Sequence, residues 1–318
     1  MTSLQRTEVH PRRWTLHGLN NGLLFRTTVA GATTLPRPVS YAIGRAGTWL
    51  AWRLMAQSND ALAHNLAALF PGEGTSQLRV RALATYRAYA RDTIDFLRSM
   101  DAGPAELEAL FEIPDRTRDV FAELEKDGRG FLLVTGHYGN WEIGSALMRR
   151  LELPLTVVAM PEADSDVNDL RRQIRDRLGT DTLEVRQSMD TALQIRRRLQ
   201  EGRSVALLMD RYIGRDRVEV EFLGRKAWFL RTPAVLARLS GAPMVPCFIE
   251  RIGAGRFLAR AEPPIYVQTE GDRDEALAMA TQRFASHLES RVRAHPEYWY
   301  HFYRYWDAQS DAYGPEQV

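Results

Sequence analysis

The sequence contains very little cysteine and very little lysine. Among its 318 residues Cys247 is the single cysteine, so the chain can form neither an internal disulfide nor a zinc site built from several cysteines. This usage fits a reducing compartment. Of the 42 Lys and Arg residues, only Lys126 and Lys226 are lysine. Arginine suits bidentate contacts to phosphate, although a GC-rich genome produces the same bias.

Long apolar runs are also absent. The longest mildly apolar stretch, residues 35–57, is interrupted by Arg37, Arg45 and Arg53 and falls short of the ~20 apolar residues that cross a bilayer. The first 14 residues lack the apolar core of a signal peptide. We therefore expect no membrane-spanning segment. Because its apolar stripe is flanked by cations, a helix over residues 40–56 is expected to lie on an anionic membrane surface.

The remaining sequence shows two different patterns of apolar residues. Residues 36–112 show helical periodicity, whereas short apolar runs alternate with helical patterns from about residue 128. This alternation predicts an α/β fold with a mostly parallel central sheet flanked by helices. We expect a helical, membrane-proximal region over 1–112 and a core over 113–318 that ends in a long helix and an aromatic tail, together forming one integrated domain. The strand-like runs are "GFLLVTG", "PLTVVAM", "TLEVR", "SVALLMD", "VEVEFL", "PMVPCFIE" and "RFLARA".

The stretch "TGHYGNWE" places a histidine and a carboxylate at the end of a strand-like run. His137 should stand at the carboxyl edge of the sheet, where open α/β sheets bind ligands. Residues five apart on one helix lie about 140° apart, so His137 meets Glu142 only if it precedes the helix that Glu142 begins. Asn140 is a suitable cap for that helix. Glu142 would then orient His137 as a general base; the alternative is a structural histidine, which is commoner for this spacing alone.

No serine or cysteine stands in a nucleophile-elbow sequence such as GxSxG. The pair therefore predicts direct removal of a proton from a substrate hydroxyl, which then attacks an activated acyl group. A helix N-terminus beside the base would help to stabilise the oxyanion. Nucleic-acid binding would rest on the arginine content alone, with a net charge of only +2 and no recognised motif. We therefore expect no nucleic acid as a partner.

"GHYGNWE" resembles the H-x4-D/E block of the glycerolipid acyltransferase superfamily. It is most similar to the form found in bacterial lipid A late acyltransferases and in their relatives that acylate phosphatidylinositol mannosides. The sequence departs from that family at Thr232, where a glycine is usual, and at Leu223, which replaces the second aromatic of Phe-Phe-Gly. Four further segments resemble the family in the same order: "AHNLAALFPG", "LLMDRY", residues 218–246 and "HPEYWYHFYRYW".

This resemblance implies a glycerolipid acyltransferase-like fold and an O-acyltransferase. Such an enzyme moves a fatty acyl group from an acyl carrier protein or coenzyme A thioester to a hydroxyl of a lipid or glycolipid. It works at the cytoplasmic face of the inner membrane, and it needs no metal and no cofactor beyond the acyl co-substrate. Two alternatives remain: a lysophospholipid or ornithine-lipid acyltransferase, and a non-catalytic lipid-binding protein on the same fold. The intact pair of His137 and Glu142 argues against the second.

The resemblance also suggests residues that bind substrate, and Asn140 and Trp141 of the "GHYGNWE" block are expected among them. Asp210 and Arg211 would line the site, with Arg211 holding a phosphate or polarising the thioester carbonyl; a plain ion pair at a strand end is the alternative. Glu219 matches a second acidic residue of the mannoside-acylating relatives or lies on a solvated strand edge. Arg225 meets a phosphate or lies in a solvated turn, and the turn is favoured.

The apolar residues beside the base are expected to shelter the acyl chain. Trp141, Ile143 and Leu147 follow His137 directly, so some of them should line an acyl channel. The competing expectation is that Trp141 alone meets the ligand while the other two pack against the sheet. The aromatic tail over residues 298–306 either forms an interfacial belt or packs as core, and core is favoured.

Overall fold

The protein is described by a computed structural model of residues 31–160, 165–185 and 189–307. Residues 1–30 lie outside this described part, and so does the N-terminal stretch on which the expectation about a signal peptide rests. Its helices are α1 (Arg37–Leu54), α2 (Ala56–Leu66), α3 (Thr75–Ser99), α4 (Pro104–Leu110), α5 (Asp115–Asp127), α6 (Gly144–Arg150), α7 (Ser165–Arg177), α8 (Met189–Gln200), α9 (Thr232–Ser240) and α10 (Arg273–Ala294). Short 3-10 helices cover Trp141–Ile143 and Pro296–Tyr298.

The strands form a seven-stranded sheet and a separate hairpin. The sheet has the order β1-β9-β8-β2-β5-β3-β4, and β6 pairs only with β7. Neighbours from β8 to β4 are parallel, whereas β9 runs antiparallel to β8. The predicted α/β fold with a mostly parallel sheet is therefore confirmed. The strands are β1 (Phe111–Glu112), β2 (Leu132–Thr135), β3 (Leu155–Ala159), β4 (Asp181–Glu184), β5 (Ser204–Leu208), β6 (Arg217–Phe222), β7 (Arg225–Leu230), β8 (Met244–Gly253) and β9 (Arg256–Ala261).

Two strands were not predicted from the sequence. β1 has only two residues, which is too short to show a periodicity, and it pairs with the distant β9. β7 begins at Arg225, which pairs with Phe222 across a two-residue turn. The prediction that Arg225 lies in the turn is therefore wrong by one position. The division of the chain at residue 112 stays a prediction.

Helix α1 is amphipathic, but the side that it buries is the one with small and polar residues. α1 buries Ser40, Thr48 and Ala51, whereas Ile43 and Leu54 of its apolar stripe are 56% and 73% exposed. Its small and polar side faces the protein and its large apolar side chains face outward. No helix in the described part of the chain has both the length and the apolarity to cross a bilayer.

A buried ion network joins the N-terminal helices to the sheet. Arg251 of β8, with only 5% of its side chain exposed, lies 2.6 Å from carboxylate oxygens of both Asp92 and Asp95 on α3. Tyr41 of α1 donates a hydrogen bond to Asp95, and the Tyr300 hydroxyl donates to Asp92 at 2.7 Å. Burial raises the pKa of Asp92, and Arg251 opposes that shift. Arg251 is therefore shared by two buried carboxylates, of which Asp95 also lies 3.2 Å from the guanidinium of Arg37 on α1.

We predict that Arg251→Leu lowers the free energy of unfolding by about 3–5 kcal/mol, because removing one partner leaves buried charges uncompensated. Arg256→Leu is the matched control, since this arginine is 63% exposed and lies 3.6 Å from an equally exposed Glu112. The control should change stability by less than about 1 kcal/mol. Urea unfolding followed by circular dichroism measures both variants. Equal losses would contradict the importance assigned to Arg251.

Candidate active site

Strand register brings His137 and Asp210 together. β2 and β5 are parallel neighbours in which Thr135 lies opposite Leu208. His137 and Asp210 each follow two residues later, so both stand at the carboxyl edge of the sheet. The Nδ1 atom of His137 lies 2.7 Å from Asp210 Oδ1, and the backbone N–H of His137 donates to Oδ2 at 2.8 Å. The carboxylate therefore fixes both the ring and the main chain of the histidine.

The loop around His137 needs two glycines. A Cβ atom on Gly136 would lie 3.0 Å from Asp210 Oδ2 and 2.8 Å from a methyl group of Leu288. Gly139 has φ +61°, and a Cβ there would lie 2.2 Å from the carbonyl oxygen of Ile249. Side chains at these positions would push the loop away from Asp210 and from β8.

Asp210, rather than Glu142, orients the imidazole. Glu142 instead accepts hydrogen bonds from Arg171 at 2.5 Å and from Arg175 at 3.4 Å. These arginines are four residues apart on α7 and so share one face of that helix. The prediction that Glu142 orients the His137 ring is therefore wrong, because the carboxylate that contacts the ring is that of Asp210. The two guanidinium groups draw the Glu142 carboxylate toward α7, and the register of β2 and β5 delivers Asp210 to the ring.

The protonation states follow from burial and these contacts. Burial alone would raise the pKa of Asp210, but the charge and hydrogen bonds of His137 and His301 hold it well below its usual range. Burial lowers the pKa of His137, and Arg211 adds to that effect. At neutral pH the carboxylate is charged and accepts the Nδ1 proton of His137, which leaves Nε2 unprotonated. Burial also opposes ionisation of Glu142, yet Arg171 and Arg175 outweigh it and lower its pKa.

The second oxygen of Asp210 is bonded by a residue that sequence reasoning missed. His301 has no exposed surface, and its Nε2 lies 2.9 Å from Asp210 Oδ2. The Tyr305 hydroxyl donates to the backbone carbonyl of Asp210 at 2.9 Å. Both residues belong to the aromatic C-terminal segment, whose favoured interpretation as core is confirmed by the burial of its members Tyr298, Trp299, Tyr300 and Tyr305. In the sequence, the signal that could have indicated His301 was its position among the seven aromatic residues of this segment.

A cavity of about 360 Å³ opens beside His137, a volume typical of small-molecule sites. The predicted residues Trp141, Glu142 and Arg211 line it together with His137. The Trp141 ring lies edge-on to the imidazole at 5.3 Å. Leu147 also lines the cavity, whereas Ile143 is completely buried in the core. Trp141 and Leu147 therefore line the cavity and Ile143 does not, while the use of this cavity as an acyl channel stays a prediction.

The other predicted substrate-binding residues lie outside the cavity wall. Asp210 stands behind His137 with no exposed surface. Asn140 caps the 3-10 helix by accepting from the Ile143 N–H at 3.4 Å. Glu219 is paired at 2.6 Å with Lys226 on the outward face of the hairpin, where its side chain is 44% exposed. The Arg225 guanidinium lies 4.9 Å from the centre of the Trp306 ring, at the exposed end of the same hairpin.

His137, Asp210 and His301 are the one group of possible metal ligands found among the described residues, with ligating atoms within 4.8 Å of one another. The two imidazoles contact different oxygens of Asp210 at 2.7 and 2.9 Å, which are hydrogen-bond distances. Zinc would instead require the ring nitrogens at about 2.0–2.1 Å from one ion. This donor set therefore fits a hydrogen-bonded chain. That no metal or cofactor is needed stays a prediction.

Comparisons with known proteins agree with the resemblance seen in the sequence. Residues 4–308 match the family described as bacterial lipid A biosynthesis acyltransferases. The chain is 25% identical over 255 residues to a phosphatidylinositol mannoside acyltransferase of Mycolicibacterium smegmatis, covering 78% of this chain and 80% of that relative. A phosphatidylinositol mannoside acyltransferase of Mycobacterium tuberculosis is 28% identical over 182 residues, or 56% of this chain and 55% of that relative.

Proposed function

The chain belongs to the bacterial lipid A biosynthesis acyltransferase family, and we propose that it transfers a fatty acyl group from an acyl carrier protein or coenzyme A thioester to a hydroxyl of a lipid or glycolipid. Family membership makes it an acyltransferase of lipid biosynthesis. One observation carries the proposal: an oriented, neutral histidine, His137, stands at the mouth of a cavity that is apolar in its depth.

The proposed reaction needs only one base. Nε2 of His137 removes the proton from the acceptor hydroxyl, and the oxygen attacks the thioester carbonyl carbon. Asp210 stabilises the imidazolium that forms, as the carboxylate does in hydrolase triads. Arg211, which lines the cavity, stabilises the negative carbonyl oxygen. When the C–S bond breaks, the leaving thiolate takes the proton back from Nε2, so the base is regenerated.

The acyl chain is proposed to lie along one face of the sheet. The cavity extends from Ala159, near the carboxyl edge, past Val157 to Leu155, which spans ~13 Å at ~3.3 Å per residue. Phe121 of α5 lines the deep end beside Leu155. Neighbouring strands contribute the same face through residues two apart, namely Leu133, Thr135, Ala206 and Leu208. Burying an acyl chain there is favourable by ~0.8 kcal/mol for each CH₂.

The cavity mouth is suited to an anionic substrate. Arg171, Arg175 and Arg211 line it, and Glu142 is the only acidic side chain among the described lining residues. Both proposed donors contain phosphate. The two mycobacterial relatives are named for phosphatidylinositol mannosides, acceptors that join a phosphate to sugar hydroxyls. We therefore place a phosphate-bearing glycolipid first among the acceptors.

We also propose peripheral binding to the cytoplasmic face of the inner membrane, where thioester donors are available. α1 presents Ile43, Leu50 and Leu54 outward, and it carries three arginines but no acidic residue. Exposed apolar side chains flanked by cations suit an anionic bilayer surface.

The first prediction from the proposed function separates the two carboxylates. His137→Ala should reduce acyl transfer ~10²–10⁴-fold, and Asp210→Asn should reduce it comparably, because the asparagine amide no longer fixes the productive tautomer. Glu142→Gln should keep most of kcat, since Glu142 contacts arginines rather than the base. The assay uses palmitoyl-coenzyme A and acyl carrier protein donors with phosphatidylinositol mannosides, lysophospholipids and ornithine lipids. Circular dichroism checks folding.

The same assay can reject the proposal. Wild-type turnover by folded His137→Ala protein would remove the histidine from the mechanism. A kcat loss for Glu142→Gln as large as that for Asp210→Asn would restore Glu142 as the orienting group. Transfer to lysophospholipids or ornithine lipids alone would replace the glycolipid acceptor, and no transfer to any acceptor would favour a lipid-binding protein.

A second prediction uses two neighbouring positions of α6. Gly144 lines the cavity, and a Cβ there would make only an ordinary contact, 3.7 Å from Ile249. Gly144→Val should shift kcat/KM toward shorter acyl donors, by about fourfold for each CH₂ left outside the cavity. Ala146 is completely buried away from the cavity, so Ala146→Val should instead lower stability by about 1–3 kcal/mol. Identical behaviour of the two variants would refute this placement of the chain.

A third prediction concerns the bilayer. The double variant Ile43→Ser/Leu54→Ser should bind vesicles containing phosphatidylglycerol at least about tenfold more weakly, because two exposed apolar groups are lost from the contact. Leu193→Ser/Leu239→Ser is the matched control, since these leucines are 56% and 63% exposed on α8 and α9. Vesicle sedimentation measures both. Equal weakening, or none for the α1 variant, would contradict docking through α1.

A further inference from the structure

We infer that His301 is a positioning residue for the proposed acyl transfer: by donating a hydrogen bond to Asp210, it holds that carboxylate toward His137 and sets the pH range in which His137 is an effective base. This inference rests on the proposed function and goes beyond the pair of His137 and Asp210. No atom of His301 needs to touch substrate.

The hydrogen bonds specify how His301 is protonated. Its Nε2 lies 2.9 Å from Oδ2 of Asp210, and its Nδ1 lies 2.8 Å from the hydroxyl of Tyr303. A charged carboxylate can only accept, so His301 carries its proton on Nε2 and its Nδ1 accepts from Tyr303. The result is a directed chain in which Tyr303 donates to His301 and His301 donates to Asp210. Oδ1 of Asp210 is left to accept the Nδ1 proton of His137.

His301 can act without changing its own charge. Burial lowers its pKa to about 3, so it is neutral at neutral pH. The other groups that face it are Asp210, Arg211 and His137. His137 itself faces Asp210, Arg211 and Glu142. A change at His301 therefore reaches His137 through the carboxylate that they share.

Removing this donor should make His137 more basic. Asp210 has no exposed surface, so water does not readily replace a lost hydrogen bond. A carboxylate with one donor fewer attracts the remaining donors more strongly, and it favours the protonated form of His137. The unprotonated base then prevails only at higher pH. The acid limb of kcat/KM should accordingly move to higher pH.

The backbone around His301 is also anchored by a residue outside the active site. Asn65 of α2 donates to the carbonyl oxygens of His301 at 3.0 Å and Tyr303 at 2.8 Å. Its own carbonyl oxygen accepts from the Tyr305 N–H at 2.8 Å. Since Asn65 bonds only main-chain atoms of this segment, the His301 side chain can be changed while the segment stays anchored.

The test compares three substitutions at His301 with one control. His301→Gln keeps an N–H that reaches Asp210; His301→Asn is shorter by one methylene and does not reach it, and His301→Leu removes the donor altogether. Tyr305→Phe is the control, because its hydroxyl bonds the backbone carbonyl of Asp210 rather than the carboxylate. The full chain is assayed for kcat/KM against pH with palmitoyl-coenzyme A. In parallel, NMR follows the ring C–H signal of His137, assigned with His137→Ala, during titration without substrate.

We expect His301→Asn and His301→Leu to lose about 10–100-fold in kcat, the usual value of a hydrogen bond to a charged group. Both the acid limb and the NMR titration of His137 should move to higher pH. His301→Gln should restore both positions toward wild type, and Tyr305→Phe should leave both unchanged. If His301→Leu does not fold, the comparison of Gln with Asn decides.

Three results would overturn the inference. Unshifted titration of His137 in folded His301→Asn protein would reduce His301 to a packing residue. A shift of the same size in Tyr305→Phe would assign the effect to general loosening of the segment. Activity lost on EDTA treatment and recovered with Zn²⁺ would make the three side chains metal ligands. Because the NMR titration needs no substrate, a shift in protein that transfers no acyl group would reject the proposed function alone.

Discussion

Asp210 combines a negative charge with complete burial, and much of the surrounding structure is needed to make that possible. An ionised carboxylate removed from water must be bonded by donors or it becomes neutral. Here His137 supplies two donors and His301 a third. The first two depend on parallel pairing of β2 with β5, and the third depends on the return of the C-terminal segment to the sheet edge. The aromatic segment is thus part of the electrostatic environment of the base.

Strands β2 and β5 place polar groups at their carboxyl ends and apolar side chains farther from those ends. Beyond their carboxyl ends, the chain places His137 and Asp210 where loops can present polar groups to a ligand. Lower on the same strands, Leu133 and Ala206 belong to the apolar wall of the cavity. The proposed thioester substrate has this division too, with a polar reacting centre beside a long apolar chain. One sheet face can therefore meet both requirements.

The N-terminal helices are connected to the active site through buried polar groups. Arg251 bonds Asp92 and Asp95, and Asp92 accepts from the Tyr300 hydroxyl. The backbone N–H of Tyr300 in turn donates to the His137 carbonyl at 2.8 Å. Hydrogen bonds and ion pairs thus connect the helices that carry the proposed bilayer face to the loop of His137.

Sequence alone determined the local features: the α/β alternation, the position of His137 after a strand, the absence of a long apolar run and the family resemblance. Each depends on residues near one another in the chain. It selected Glu142 as the orienting group because only nearby residues can be compared by spacing, whereas Asp210 is 73 residues from His137. Only the tertiary structure made Asp210 the partner and added His301, 91 residues from that carboxylate. Strand order and the path of the last segment decide such contacts, because hydrogen bonds require atoms within about 3 Å and a local pattern contains no such distances between distant segments.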